Sequence, residues 1–582
     1  MRERATRFQI WKLACGEAWR AFSAWPGVAF DLRLSPYIPK RMLLAPQDLR
    51  TADPTEAHDI YAGYFVFEGH SVHAGGSSPF VAPPPSTAWA EALYGFGWLR
   101  HLRAAGTALA QANGRTLVQE FMNGVGFSRA PLANTTPVVS RRLISFICQS
   151  PLILDGADHA FYMRFVRVIG VMVKKTRRDA LHHPQPYARL QAIIALCYAG
   201  LCCEGLEWVF RKAGRWLNRE LDRQILPDGG HISRNPGVLI DVLLDLLPLR
   251  QVYSSRGIPV PQALQAAIDR MVPMLRMFCF KDGSLAHFNG MGLTATDHMA
   301  TLLMYDDVRA KPNARAPYSG YIRIEAGETV LIADVGAQPP LSQSRRACAG
   351  CLAFELTSGV QPLVVNCGAP LSASPALELA VRSTAAHSTL GVVGDSQAEF
   401  LENSHGGLTG LVTGWLIRRI GPVVLSGAES VILEQEDGDQ TAHISAAHAA
   451  YRKLFGFDHR RSWSLSPEGD ILNGEDTLIV AAGRSPAKPL TIRFHLAPTV
   501  RTHMDEGGTV VILETGGGER WSFSAAPHAP ALEESVFFSA GNGPQATSQI
   551  VLEIPPDDAR PVAWRFERFR TAALPDDPDD DG

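Results

Sequence analysis

The sequence is short of charge, short of lysine and without long apolar runs. Only 19% of its 582 residues are charged and the formal net charge is −3, which leaves no electrostatic footprint for duplex nucleic acid or an anionic membrane. No stretch supplies the roughly 18 consecutive apolar residues of a transmembrane segment. The nine cysteines are odd in number and sit mostly inside apolar runs, so a disulfide framework is not expected. The N-terminal MRERATRFQIWKLACGEAWRAF has charges among its apolar residues and no uninterrupted h-region. It reads as an amphipathic helix rather than a signal peptide, which by sequence places the chain in the cytoplasm. Nine lysines stand against 46 arginines. Biased codon usage accounts for that ratio, although arginine is also the better bidentate partner for a carboxylated or sulfated ligand.

What is present is ample apolar material, 46% of the chain, arranged in two regimes. A Gly/Pro/Ser-rich stretch at 65–86 closes an N-terminal segment, residues 1–87, too small for its own core and expected to pack on the helical domain. From 88 to 315 the apolar period is 3.6: Leu264, Ile268, Met271, Leu275 and Phe278 mark one helix face, with Pro273 expected to kink it. The candidates at 193–203 and 238–247 are apolar nearly all round, which suits the inner ring of a layered helical domain. From 316 to 572 the period is 2. In LAFEL, Leu352, Phe354 and Leu356 oppose Ala353 and Glu355, and TIRFHL alternates likewise. Many short strands and no helix-length pattern predict stacked antiparallel sheets. Residues 573–582, with five aspartates, read as a solvated acidic tail.

Three groups of residues are candidates for chemistry. In DGGHISRNP, Asn235 before Pro236 is a sound helix cap, yet His231, Arg234 and Asn235 also converge on a helix end that attracts anions. A second loop, KDGSLAHFNGMG, adds His287 and Asn289. In the strand region His448, Tyr451, His459, Arg460 and Arg461 mix titratable and cationic groups within a short span. Cys348 and Cys351 form a C-x-x-C in strand context without a second pair, against a redox or zinc-knuckle reading. His387 alone reads as a strand-end histidine.

The ordered set of a helical domain with DGGHISRNP, then LAFELTSGVQPLVVNCG, AAHSTL, the His/Tyr/Arg cluster and RFHLAP, resembles the heparinase II/III-like proteins over residues 88–570. The resemblance implies an incomplete (α/α) toroid followed by a layered antiparallel β-sandwich, an acidic polysaccharide in the cleft between them, and β-elimination. It also implies a cell-envelope or periplasmic setting. Where the family carries its proton-transfer His this chain has Arg346. The family's toroid Tyr falls on Val238, and its Asn-His pair on Tyr187 and Ala188. The family's structural zinc ligands fall on Cys348, Asn366 and His387. A uronate lyase must neutralise the carboxylate, take the C5 proton and protonate the leaving oxygen. On this reading Tyr451, His231 and His387 are the catalytic candidates. Arg234, Asn235, Asn289, Arg346, His459 and Arg460 bind substrate, and Arg234, Asn289, His387 and Tyr451 line one cleft. Two alternatives stay open: a glycan-binding protein that has lost turnover, and a toroid-type glycoside hydrolase using Asp228 and Asp282.

Overall fold

The structure, a computed structural model, describes residues 8–19, 22, 38–125, 131–305, 311–402, 407–437, 442–480, 486 and 488–569. The acidic tail at 573–582 lies outside the described residues. Among the described residues between 56 and 304 the regular elements are helices apart from one hairpin, Tyr64–Phe67 with His70–His73. The helix Pro186–Cys202 is the hub, touching Thr136–Cys148, His159–His182, Glu207–Gln224 and Pro236–Ser255. It can be surrounded because its buried residues run almost unbroken from Ala188 to Cys202. Proline in the first turn starts three of these helices, where its missing N–H has no partner to lose. The face Leu264, Ile268, Met271, Leu275, Phe278 is buried as its spacing predicts, and the helix continues through Pro273 to Phe278. The result is the inner and outer layering of an incomplete toroid.

The second domain is a sandwich of two antiparallel sheets. Among the described residues one sheet has eight strands, from Val431–Asp437 at one edge to Arg501–Met504 at the other. The second has nine and includes Tyr321–Ala326, Thr329–Asp334, Phe354–Ser358, Gln361–Val365 and Leu490–Leu496. Between them lie Phe354, Trp463, Phe494, Trp521, Phe523, Trp564 and Phe566, with the Phe354 and Trp564 rings stacked at 5.5 Å. Two features depart from the sequence reading. A 14-residue helix, Gly407–Ile420, interrupts the strands; its glycines and threonines lower helix propensity and hid the pattern. The N-terminal segment also divides. Leu49, Ala57, Ile60, Phe65 and Phe80 join the toroid core, whereas a helix over residues 8–19 packs Ile10 and Ala14 on Leu416, Ile420 and Val423 of the β domain. Among the described residues no helix is long and apolar enough to cross a membrane.

Candidate functional site

The two domains are joined through Arg234, a residue held at φ 62 at the head of the Pro236–Ser255 helix. Its guanidinium donates to Ser319 O at 2.6 Å, Gly320 O at 2.9 Å, Ala337 O at 2.9 Å and Gly336 O at 3.2 Å, and pairs with Asp334. Tyr321 stacks on it at 4.7 Å and returns its hydroxyl to Arg234 O at 2.6 Å. Asn289 donates to Tyr321 Oη at 2.7 Å and Asp334 Oδ2 at 3.1 Å, and accepts from Cys348 N. Burial is the largest influence on Arg234 and opposes its charge, but Asp334, Tyr321 and Cys351 together more than offset it and the guanidinium pKa is raised.

Beside this seam charged side chains of both domains come near one another. The hairpin tip at Glu68 and Gly69 reaches the β domain, where a Cβ on Gly69 would lie 3.8 Å from Leu371. Glu68, Glu91 and Asp241 are exposed on the toroid side, and Arg345 and Arg346 on the β side. Partial burial raises both the Glu68 and Glu91 carboxyls, against the pull of Arg346 on the first and of Arg345 and Arg346 on the second. One turn along from Asp241, Asp245 is buried between Arg141 (2.6 Å) and Arg50 (2.9 Å). The loop 344–350 that carries the arginines is seated on Gly290, where φ is +81 and a Cβ would meet Arg346 O at 2.7 Å. Chemically this is a mixed-charge surface: two guanidiniums suited to a carboxylate or sulfate, and carboxylates suited to sugar hydroxyls.

Most residues singled out in the sequence do other work. Arg234 and Asn289 are at the domain seam, but every polar group of their side chains is engaged there, so neither is available to a substrate. Asn235 is the helix cap, its Oδ1 accepting from Gly237 N at 2.8 Å. His231 is buried, with Ser233 N–H donating to Nδ1 at 3.1 Å and Nε2 bonded to Gln224 Oε1 at 3.1 Å. Burial pushes its pKa down to about 3, and with both nitrogens engaged it is not a free base. Tyr451 is fully buried in the sandwich core, donates to Leu390 O at 2.9 Å, and has its pKa raised by that burial; it is a core aromatic. His459 faces inward because the strand Phe457–Leu465 alternates strictly. There it meets Asp476 at 2.6 Å, alongside Arg461 at 2.8 Å. Arg460, on the opposite face, lies 3.7 Å from Glu434. Of the proposed binding residues Arg346 is exposed, within electrostatic reach of Glu68 and Glu91. Asp228 is not a hydrolase acid, since it accepts from Tyr318 N, Ser319 N and Ser319 Oγ. Asp282 accepts from Ser284 N and Oγ.

The residues at the family's zinc positions do not form a metal set. Asn366 donates to Glu355 at 3.2 Å and accepts from Ser388 N at 3.0 Å, which uses both ends of its amide. His387 is buried, with Nδ1 donating to Ser383 O at 2.8 Å. Burial pushes the Cys348 thiol up to about 11, and its Sγ lies 3.6 Å from Arg346 O. Among the described residues no group of three His, Cys, Asp or Glu is placed to hold an ion. The charged residues gathered around Arg346, namely Glu68, Glu91, Asp241 and Arg345, carried no spacing signal; they converge from a hairpin tip, two helices and a loop.

A toroid closed on a two-sheet sandwich, with charged side chains of both at the join, is the architecture of heparinase-type proteins. Residues 308–565, the β domain, match the family described as heparinase II/III-like, C-terminal. It is similar along nearly its whole length to FtsZ-localized protein C of Caulobacter vibrioides, 28% identical over 546 residues that make up 91% of each chain. Among solved structures it resembles heparinase III, with a TM-score of 0.70 at 11% identity over 94% of this chain and 89% of that one. It also resembles the heparan sulfate lyase HepC of Pedobacter heparinus, with a TM-score of 0.57 at 15% identity over 90% and 85%.

Proposed function

We propose that this chain holds a carboxylate-bearing glycan in the cleft between toroid and sandwich without cleaving it. The observation that supports the reading is the exposed Arg346 guanidinium at the family's proton-transfer position. A guanidinium is a fixed cation that neither donates nor accepts a proton in general acid–base catalysis, but it can clamp a carboxylate. Val238 and Ala188, at two other family positions, offer no proton either; Tyr187 keeps a hydroxyl 3.5 Å from Asp241, but burial raises its pKa and disfavours the phenolate a base requires, and Tyr451 and His231 are buried with their polar atoms bonded within the protein. The likeness to FtsZ-localized protein C supports placing this binding at the site of cell division.

The test sets the purified chain against hyaluronan, heparan sulfate, polygalacturonate and soluble peptidoglycan strands. Binding to at least one is expected, weakening as salt rises and falling about tenfold in Arg346→Ala. No rise in the ultraviolet absorbance of an unsaturated uronate is expected. An unsaturated product with any of them would restore the lyase reading. Absence of all binding in low salt would end the carbohydrate reading.

A further inference from the structure

The helix Glu207–Gln224 carries three cations on its outer face with no acid to meet them. Arg211, Lys212 and Arg215 are exposed, and among the described residues none of the three pairs with a carboxylate. Lys212 lies 5.6 Å over the ring of Trp208, one turn earlier, and Arg215 donates to Arg211 O at 3.3 Å. Beside these cations the helix and the loop 256–261 flank a hollow of about 560 Å³, walled by Trp208, Phe210, Ile258, Pro259 and Pro261. Two more lining side chains each bring a buried polar atom that has no hydrogen-bond partner among the described residues, the Tyr253 hydroxyl and Asn218 Oδ1. Tyr253 itself is only 1% exposed. Phe210 holds its ring edge-on at 5.4 Å, and Gly214 leaves its hydroxyl uncovered, since a Cβ there would stand 3.7 Å from the oxygen. Tyr253 lies twelve residues beyond Asp241 on the helix Pro236–Ser255, roughly 18 Å along its axis. No residue of the hollow belongs to the charged group around Arg346.

We propose that this hollow binds a phosphate monoester carried on a ring, as in a sugar phosphate or a nucleoside monophosphate. Two guanidiniums and an ammonium without partners suit a group with roughly two negative charges and three acceptor oxygens. A carboxylate brings one charge and two oxygens, fewer than the three cations can use. The ring is called for by the rest of the hollow, where tryptophan, phenylalanine and proline rings offer an apolar wall and two polar atoms lie beside it. A buried polar atom without a partner costs stability, and a ring hydroxyl or amine that reaches it removes the cost. Burial raises the Tyr253 pKa, so at neutral pH the hydroxyl is intact and can donate as well as accept. The volume falls among small-molecule sites, roughly 300–1,000 Å³, whereas a stable protein interface takes roughly 20–30 residues a side. The site is built largely on two packed helices, so binding orders little backbone.

The experiment is calorimetry on the full chain in low salt, with glucose 6-phosphate, uridine monophosphate, inorganic phosphate and glucose as titrants. At least one ring phosphate should bind about tenfold more tightly than inorganic phosphate, with no heat from glucose, and the tighter of the two names the source of the ring. The double variant Lys212→Gln, Arg215→Gln should bind about tenfold more weakly while melting at the parent's temperature. Tyr253→Phe should weaken binding about threefold or more without lowering the melting temperature, because the hydroxyl it removes has no partner in the protein to lose. Absence of binding by both ring phosphates overturns the proposal, as does binding that survives both variants. Inorganic phosphate binding as tightly as either ring phosphate reduces the site to an anion-attracting surface and overturns it as well. Binding lost in Arg346→Ala but kept in the helix variants assigns the ligand to the domain seam, with the same consequence.

Discussion

Arg234 at the head of a toroid helix and Asp334 at the end of a β-strand form an ion pair that seals the two domains together. Both side chains are under a tenth exposed, and carbonyl groups of the β domain take the remaining guanidinium donors. A charge so placed is stabilising only while its partners remain, since either group alone would be left buried and uncompensated. The pair therefore explains why a motif that reads as a ligand site is a hinge pin between domains.

Arg234→Met should lower stability by about 3–5 kcal/mol, because it strands Asp334 and several carbonyls. Arg234→Lys should recover little, as one ammonium cannot reproduce the planar fork. Urea midpoints followed by tryptophan fluorescence will show this; a shift of under about 1 kcal/mol would mean that water replaces the guanidinium.

Tyr451→Phe should leave glycan binding unchanged and cost about 1 kcal/mol, the net worth of the hydrogen bond to Leu390 O. Loss of binding in a variant that melts normally would return Tyr451 to the site.

Gly290→Ala should displace the Arg346 loop. The alanine would have to adopt φ +81 and would press on the Arg346 carbonyl and Cβ, at 2.7 and 2.8 Å. A destabilisation of about 1–3 kcal/mol is expected, with ligand affinity falling as in Arg346→Ala. Unchanged affinity would show that the loop tolerates the shift.

Stability should fall on acidification from about pH 6.5. Burial pushes His231 and His495 down to about 3 and His101 down to about 4, whereas in the unfolded chain each titrates near 6.5. The unfolded state thus takes up protons that the folded state refuses. Stability is complete above the unfolded value and is lost as pH drops toward the folded ones, by up to about 1.4 kcal/mol per pH unit for each histidine. Urea midpoints measured between pH 7 and 5 test the slope; a flat profile would mean that these histidines are protonated in the fold.

The division into helices and strands was legible from residue spacing. The stripe from Leu264 to Phe278 and the alternation of LAFEL and TIRFHL each reflect which side of one element meets a core, a property carried by neighbours three, four or two places apart. Pro236 after Asn235 likewise announced its own capped helix. The helix Gly407–Ile420 escaped because glycine and threonine mask a pattern that packing against Ile10 and Ala14 nonetheless stabilises.

Residue type could not say which polar groups face a ligand. His459 and Arg461 look reactive in a string, yet the inward phase of their strand buries them beside Asp476, and Tyr451 turns into the sandwich core next to them. Arg234 finds its partners about a hundred residues away, and Glu68, Glu91, Asp241 and Arg346 gather from elements with no common spacing. Helical and strand periods are local and survive in the sequence. The satisfaction of a buried charge is settled by whichever distant groups the packed domains bring within hydrogen-bond reach.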